Sequence, residues 1–134
     1  MNMTADERQA VIAFRIEKSD EAYSDVLKSM EFGMFSTATN RLYYSFYYAA
    51  SALLLSKGVE THRHSSLQSM MHLHFVKPGL MTFEDGLLMR QLFNQRQESD
   101  YDDFVVVTQE DLEPLVTKTK LLLWRSGDGS LIRS

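Results

Sequence analysis

The chain has 134 residues, a formal net charge of −4 and no cysteine. That length suits one domain with a single core. Without cysteine there are no disulfides and no thiol chemistry, which suits a reducing compartment, so a cytoplasmic location is expected. The acidic balance gives no support to non-specific nucleic-acid binding through global charge and leaves only a local basic site for that role. No signal-peptide pattern opens the chain, no apolar run approaches the roughly 18 residues of a membrane span, and no membrane partner is expected.

Two prolines, six glycines and plentiful leucine and methionine favour long helices over strands. The first starts at Thr4-Ala5-Asp6-Glu7, which has the form of a capping box. Ile12, Ile16, Ser19, Tyr23, Val26, Leu27 and Met30 then fall on one stripe, and Gly33 supplies the helix end. The second helix carries RLYYSFYYAASALLLSKG, residues 41–58. Arg41, Tyr44, Ser45, Tyr48, Ala52 and Leu55 share one face; Leu42, Phe46, Ala49 and Leu53 share another; Tyr43, Tyr47, Ala50 and Leu54 a third. A helix apolar around most of its circumference is buried on most sides, as the centre of a bundle or partly at a subunit interface.

Ser65 or Ser66 is expected to cap a short helix carrying Leu67, Met70, Met71, His74 and Phe75, which Lys77-Pro78-Gly79 ends. A further helix is expected from about Thr82 to Ser99, with Phe83, Leu87, Leu88, Leu92 and Phe93 as its apolar residues. Asp100 to Asp103 form an acidic break, and Phe104 to Val107 an extended apolar run. Thr108-Gln109-Glu110-Asp111 reads as another helix start. Leu112, Leu115, Val116, Thr119, Leu122 and Leu123 trace the last stripe, closed by Trp124, with Pro114 tolerated near its start. The expected fold is all-α: an up-and-down bundle of four long helices plus one short inserted helix over residues 1–125, with a flexible tail over 126–134.

All four histidines lie between His62 and His74. The pairs His62/His64 and His72/His74 are two apart, which sends helical side chains to different faces, whereas paired helical ligands want three or four. No metal and no cofactor are therefore expected. Asp100, Asp102 and Asp103 read as a solvated break with capping duties rather than a cation site. Arg96 shares a stripe with Met89 and Phe93, so its stem leaves an apolar surface. It can be a snorkelling side chain paired with Asp100, or a guanidinium in a partly desolvated cleft that recognises phosphate or carboxylate. Arg41, on a face with Tyr44 and Tyr48, has the same two readings.

Four pieces in order resemble the HEPN domain family. They are Asn40-Arg41-Leu42-Tyr43-Tyr44 with the alanine-rich stretch to Gly58; His64-Ser65-Ser66; Phe75-Val76-Lys77; and Leu92-Phe93-Asn94-Gln95-Arg96 followed by Asp100-Tyr101-Asp102-Asp103-Phe104. The resemblance implies a homodimeric helical bundle paired with a minimal nucleotidyltransferase, often as a toxin–antitoxin system. Many members are metal-independent RNases whose site is an arginine followed, after four to six residues, by a histidine. Arg96 matches that arginine, but Tyr101, Asp102 and Asp103 stand where the histidine belongs. A tyrosine or aspartate is poorly matched to that acid–base role at neutral pH. Tyr101 also sits where a paired nucleotidyltransferase modifies a tyrosine in some systems. Arg96, Tyr101 and His64 are thus the catalytic candidates, and Arg41, Tyr44, Arg96, Asp100 and Tyr101 the binding candidates; Arg41 is expected to join Arg96, Asp100 and Tyr101 in one polar cluster. The expectation is a dimeric module binding nucleotide, RNA or a nucleotidyltransferase protein. The alternatives are a degenerate RNase toxin using Arg96 and a helical dimer whose polar cluster only sets packing.

Overall fold

A computed structural model of the chain describes residues 3–61, 63–101 and 106–127. All its regular structure is helical: α1 (Ala5–Glu31), α2 (Phe35–Ser56), α3 (His64–Met71), α4 (Phe83–Tyr101) and α5 (Gln109–Gly127), with a π-helical turn, His72–Val76, after α3. Among the described residues there is no strand, and no helix is long and apolar enough to cross a membrane.

The ends of α1 and α2 follow from local chemistry. The Thr4 hydroxyl accepts from the Glu7 amide at 3.1 Å, which satisfies one of the orphan donors at the start of α1. At the far end Gly33 has φ +70°, and the amides of Gly33 and Met34 reach back to the carbonyls of Met30 and Ser29. Gly58, at φ +76°, closes α2 in the same way, with Gly58 and Val59 bonding to Leu55 and Leu54. Both are Schellman ends, and both need the left-handed conformation that glycine adopts without a Cβ penalty.

α1 and α2 form an antiparallel hairpin. Ser19 Oγ donates to the Ser45 carbonyl at 2.6 Å, and further along Arg15 reaches the Ser51 carbonyl at 3.4 Å and pairs with Glu60. Ile12 packs with Ala52 and Leu55 beyond them. α2 also touches α3, α4 and α5, so it is the central helix that its all-round apolar pattern implies. Val26, Leu42, Phe46, Leu53, Leu54, Phe75, Leu92 and Leu112 belong to the resulting core.

Several expectations change at the edges. Leu27, at the margin of its stripe, is exposed, and so are Phe83, Leu87 and Trp124, which lie on the sides of α4 and α5 away from the buried Leu92 and Leu115. Met89 is buried on α4 with Leu88 and Leu92. The short helix begins at His64, so Ser65 and Ser66 lie inside its first turn, and its cap residue is Arg63 with no side-chain cap bond. Regular α-geometry stops at Met71. The wider π-turn carries the chain to Phe75, and the Lys77 amide closes on the His72 carbonyl at 2.8 Å. α5 takes in Ser126, which is buried, and Gly127; the rest of the expected tail, and the run Phe104–Val105, lie outside the described residues.

α4 and α5 each open on a reciprocal cap. Thr82 and Asp85 exchange bonds at 2.9 and 3.1 Å, and Thr108 and Asp111 at 3.3 and 3.2 Å. Asp85 also accepts from Arg125 of α5 at 2.6 Å. Burial pulls its pKa up, but the Arg125 and Thr82 hydrogen bonds outweigh that and leave it below the ordinary carboxylate value.

Candidate functional site

The first half of α2 carries the chemistry. Its buried positions hold the helix against α1 and α4, which leaves Asn40, Arg41, Tyr44, Tyr47 and Tyr48 half-buried on the remaining side. His64, the first residue of α3, and Arg96 of α4 close on the same tyrosines. The His64 ring lies 4.7 Å from that of Tyr47, 5.4 Å from Tyr43 and 6.0 Å from Tyr44. The Arg96 guanidinium lies 5.4 Å from the Tyr43 ring and 5.6 Å from the Tyr44 ring, and Arg41 lies 5.1 Å from the Tyr44 ring. Two guanidinium groups therefore share the Tyr44 ring, each within cation–π range. Arg41 is held there by Asn40, whose side-chain oxygen accepts from Nε and Nη2 at 3.2 and 2.8 Å. Among the described residues this brings two positive charges to one set of aromatic faces.

Tyr43 is the residue that organises the cluster. It is fully buried, and its phenol oxygen is 2.5 Å from His64 Nδ1. Burial drives the Tyr43 pKa far above the ordinary phenol range, against the pull of Arg96 and with help from Tyr44 and Tyr47, so the phenol keeps its proton. A buried hydroxyl hydrogen needs an acceptor, and His64 Nδ1 is the atom in reach. Burial also lowers the His64 pKa, and the Arg96 charge lowers it further, so the imidazole is neutral at pH 7. A neutral imidazole that accepts at Nδ1 carries its hydrogen on Nε2. His64 thus has an N–H to offer beside a guanidinium, and its only free lone pair is already in use by Tyr43.

The structure brings Arg41 and Arg96 to the same Tyr44 ring, and His64 joins them from α3. The side chains of Asp100 and Tyr101 lie outside the described residues, as do Asp102 and Asp103; the backbone of Asp100 and Tyr101 forms the last turn of α4. Among the described residues no three His, Cys, Asp or Glu side chains converge as metal ligands. Tyr43 escapes the sequence reading, which places it with Tyr47, Ala50 and Leu54 on a packing face. One signal could have found it: a phenol on an otherwise aliphatic buried face must find a hydrogen-bond partner somewhere in the fold.

Comparison with known proteins identifies a family. The family model of the HEPN domain matches residues 12–125. A "UPF0332 protein" of Thermotoga maritima is 28% identical over 114 residues, which are 85% of this chain and 86% of that protein. Two proteins of Methanocaldococcus jannaschii, each named "Putative toxin", are 34% and 27% identical. The alignments cover 81% and 82% of this chain, and 72% and 81% of those proteins.

Proposed function

The chain belongs to the HEPN domain family, and on that premise we propose that it is an RNA- or nucleotide-binding module that recognises phosphate through Arg96 and His64. It works as a homodimer, with its four long helices as an up-and-down bundle, beside a nucleotidyltransferase partner in a toxin–antitoxin-like system. Two relatives named as toxins support the biological setting. The observation that carries the binding reading is the Tyr43–His64 hydrogen bond. With the buried phenol donating, it makes His64 a donor rather than a base, next to a guanidinium that has only donors to give.

Each group then has a defined role. Arg96 offers the planar fork that suits phosphate oxygens, and His64 Nε2–H adds a second direction of approach. Arg41 supplies a further charge across the Tyr44 ring. Tyr44 and Tyr47 offer half-buried ring faces on which a base can stack, the combination of stacking and positive charge used for single strands. Tyr101, past Arg96 at the end of α4, is the phenol that a nucleotidyltransferase partner modifies in this reading, and Asp100 lies beside it.

Anisotropy of a labelled single-stranded RNA tests the binding role. The parent protein is expected to bind, with affinity falling as salt rises, and Arg96→Ala to lose most of that affinity. Equal binding by the two proteins overturns the assignment. For the assembly, light scattering should give twice the monomer mass, and co-purification should recover the nucleotidyltransferase encoded beside the chain. A monomer, or no recovery, removes that part of the reading.

One observation favours the alternative, a metal-independent RNase toxin. A neutral imidazole beside Arg96 is a combination that could activate a ribose hydroxyl. To act as a base at Nε2, however, His64 must move its hydrogen to Nδ1, which reverses the Tyr43 bond and takes the acceptor away from the buried phenol hydrogen. Cleavage of RNA by the parent protein in metal-free buffer, lost in Arg96→Ala, would establish this alternative.

A further inference from the structure

Beside the Arg96 cluster lies a cleft of about 450 Å³ between α3, the π-turn and α4, and none of its lining belongs to the cluster itself. Gln68, Ser69 and His72 line one wall, and Phe83, Leu87 and Arg90 the other. Phe83 is 68% exposed, which leaves much of its ring open to a ligand. Arg90 and His72 are exposed as well. The acidic residues at the start of α4 do not compete for this space. Glu84 is not part of the lining, and Asp85 is committed to Arg125 of α5.

The cleft continues the Arg96 cluster along both helices. His64, Gln68 and His72 follow one another at four-residue steps, so they run along one edge of α3 into the π-turn. Gly86, Met89, Phe93 and Arg96 share one stripe of α4. At one end of that stripe Arg96 and Phe93 meet Tyr43, whose ring lies 6.1 Å from that of Phe93; at the other, Gly86 and Met89 line the cleft. Eight residues of helical rise separate His64 from His72, about 12 Å. A stacked strand rises about 3.4 Å along its axis per nucleotide, so about three to four nucleotides span that distance.

We propose that this cleft is a second subsite for the same single-stranded RNA, taking the nucleotides that follow the one whose phosphate sits on Arg96 and His64. The proposal rests on the binding reading above and adds the length and path of the ligand. Arg90 meets a phosphate, Phe83 stacks on a base, and Gln68 and Ser69 offer donors and acceptors to a base edge. The ligand is therefore an oligonucleotide rather than a mononucleotide.

Amide shift changes in ¹H–¹⁵N spectra, followed during titration with a dinucleotide and with a six-nucleotide RNA, separate this proposal from its premise. The hexamer is expected to shift the amides of residues 68–72 and 86–90 together with those around Arg96; the dinucleotide is expected to shift only the latter. Arg90→Gln and Phe83→Ala change exposed side chains and should keep the fold. Arg90→Gln should lower the slope of log affinity against log salt by about 0.7 for the hexamer. If the hexamer moves the amides around Arg96 and leaves the cleft still, or if both variants bind it as the parent does, the second subsite is wrong and the first stands. If neither RNA shifts any amide in the parent protein, both are wrong.

Discussion

The two halves of α2 are both largely apolar, but they differ in residue type and behave differently. From Ala49 to Leu55 every apolar side chain is at most 3% exposed, and Ser51 turns back to bond the Tyr48 carbonyl of its own helix. From Asn40 to Tyr48 the rings of Tyr44, Tyr47 and Tyr48 are only half-buried, and the buried Tyr43 spends its hydroxyl on His64. Alanine and leucine can do no more than exclude water. Phenols bury a ring and carry a polar tip to its partner. The helix is thus divided along its axis as well as around it: one end is core, and the other is core on one side and chemistry on the other.

The largest effect that sharpens this contrast lies in the buried half. Leu53→Ala should cost about 2–5 kcal/mol of stability, measured by denaturant unfolding, because it removes a methyl cluster and leaves a cavity. Its affinity for RNA should stay at the parent value wherever the variant is folded. A loss of affinity without a loss of stability would break the division.

Next in size is Tyr43→Phe, which keeps the ring and removes the hydroxyl. His64 Nδ1 then loses its donor, at a cost of about 1–3 kcal/mol. The same change frees the tautomer, so the ¹⁵N shifts of the His64 ring should move away from a pure Nε2–H pattern, and RNA affinity should fall. A fall in stability with unchanged ring shifts would leave Tyr43 as a packing residue only.

The smallest expected effect is a pH dependence. The folded protein holds the His64 pKa below its unfolded value of about 6.5. The unfolded chain therefore takes up a proton first as pH falls. The His64 contribution to stability is complete above about pH 6.5 and is lost as pH falls through the lower folded value. His64→Gln should flatten the unfolding free energy over that window. An unchanged slope would place the His64 pKa at its ordinary value and weaken the argument for a neutral donor.

The parts of the fold that were legible in the sequence are those set by neighbours in the chain. Thr4, Gly33, Gly58 and Thr108 mark ends because a cap or a left-handed turn is a local event. The central place of α2 was legible too, since only a helix with partners on most sides can be apolar almost all round. What escaped depends on distant partners. Met89 is buried on α4 while Leu87, about half a turn round the helix, is exposed, because apolar residues stand on both sides of α4 and the pattern alone does not say which side is covered. The π-turn at His72–Val76 has no glycine or proline to announce it. The candidate site divides in the same way. Arg41, Tyr44 and Arg96 stood out by residue type and helical face, and His64 by its place at a helix start. The bond between Tyr43 and His64 joins positions 21 residues apart on different helices, and no spacing rule reaches that far.

The central claim is that Arg96 and His64 hold RNA phosphate and do not cut it. The direct test is to incubate end-labelled single-stranded RNA with the parent protein and with Arg96→Ala in metal-free buffer, reading anisotropy and a denaturing gel from the same samples. The account predicts that the parent raises the anisotropy while the RNA stays full length, and that Arg96→Ala leaves the anisotropy near that of free RNA. Shortened RNA with the parent and full-length RNA with Arg96→Ala would contradict it, and would assign base chemistry to His64 with the Tyr43–His64 bond reversed.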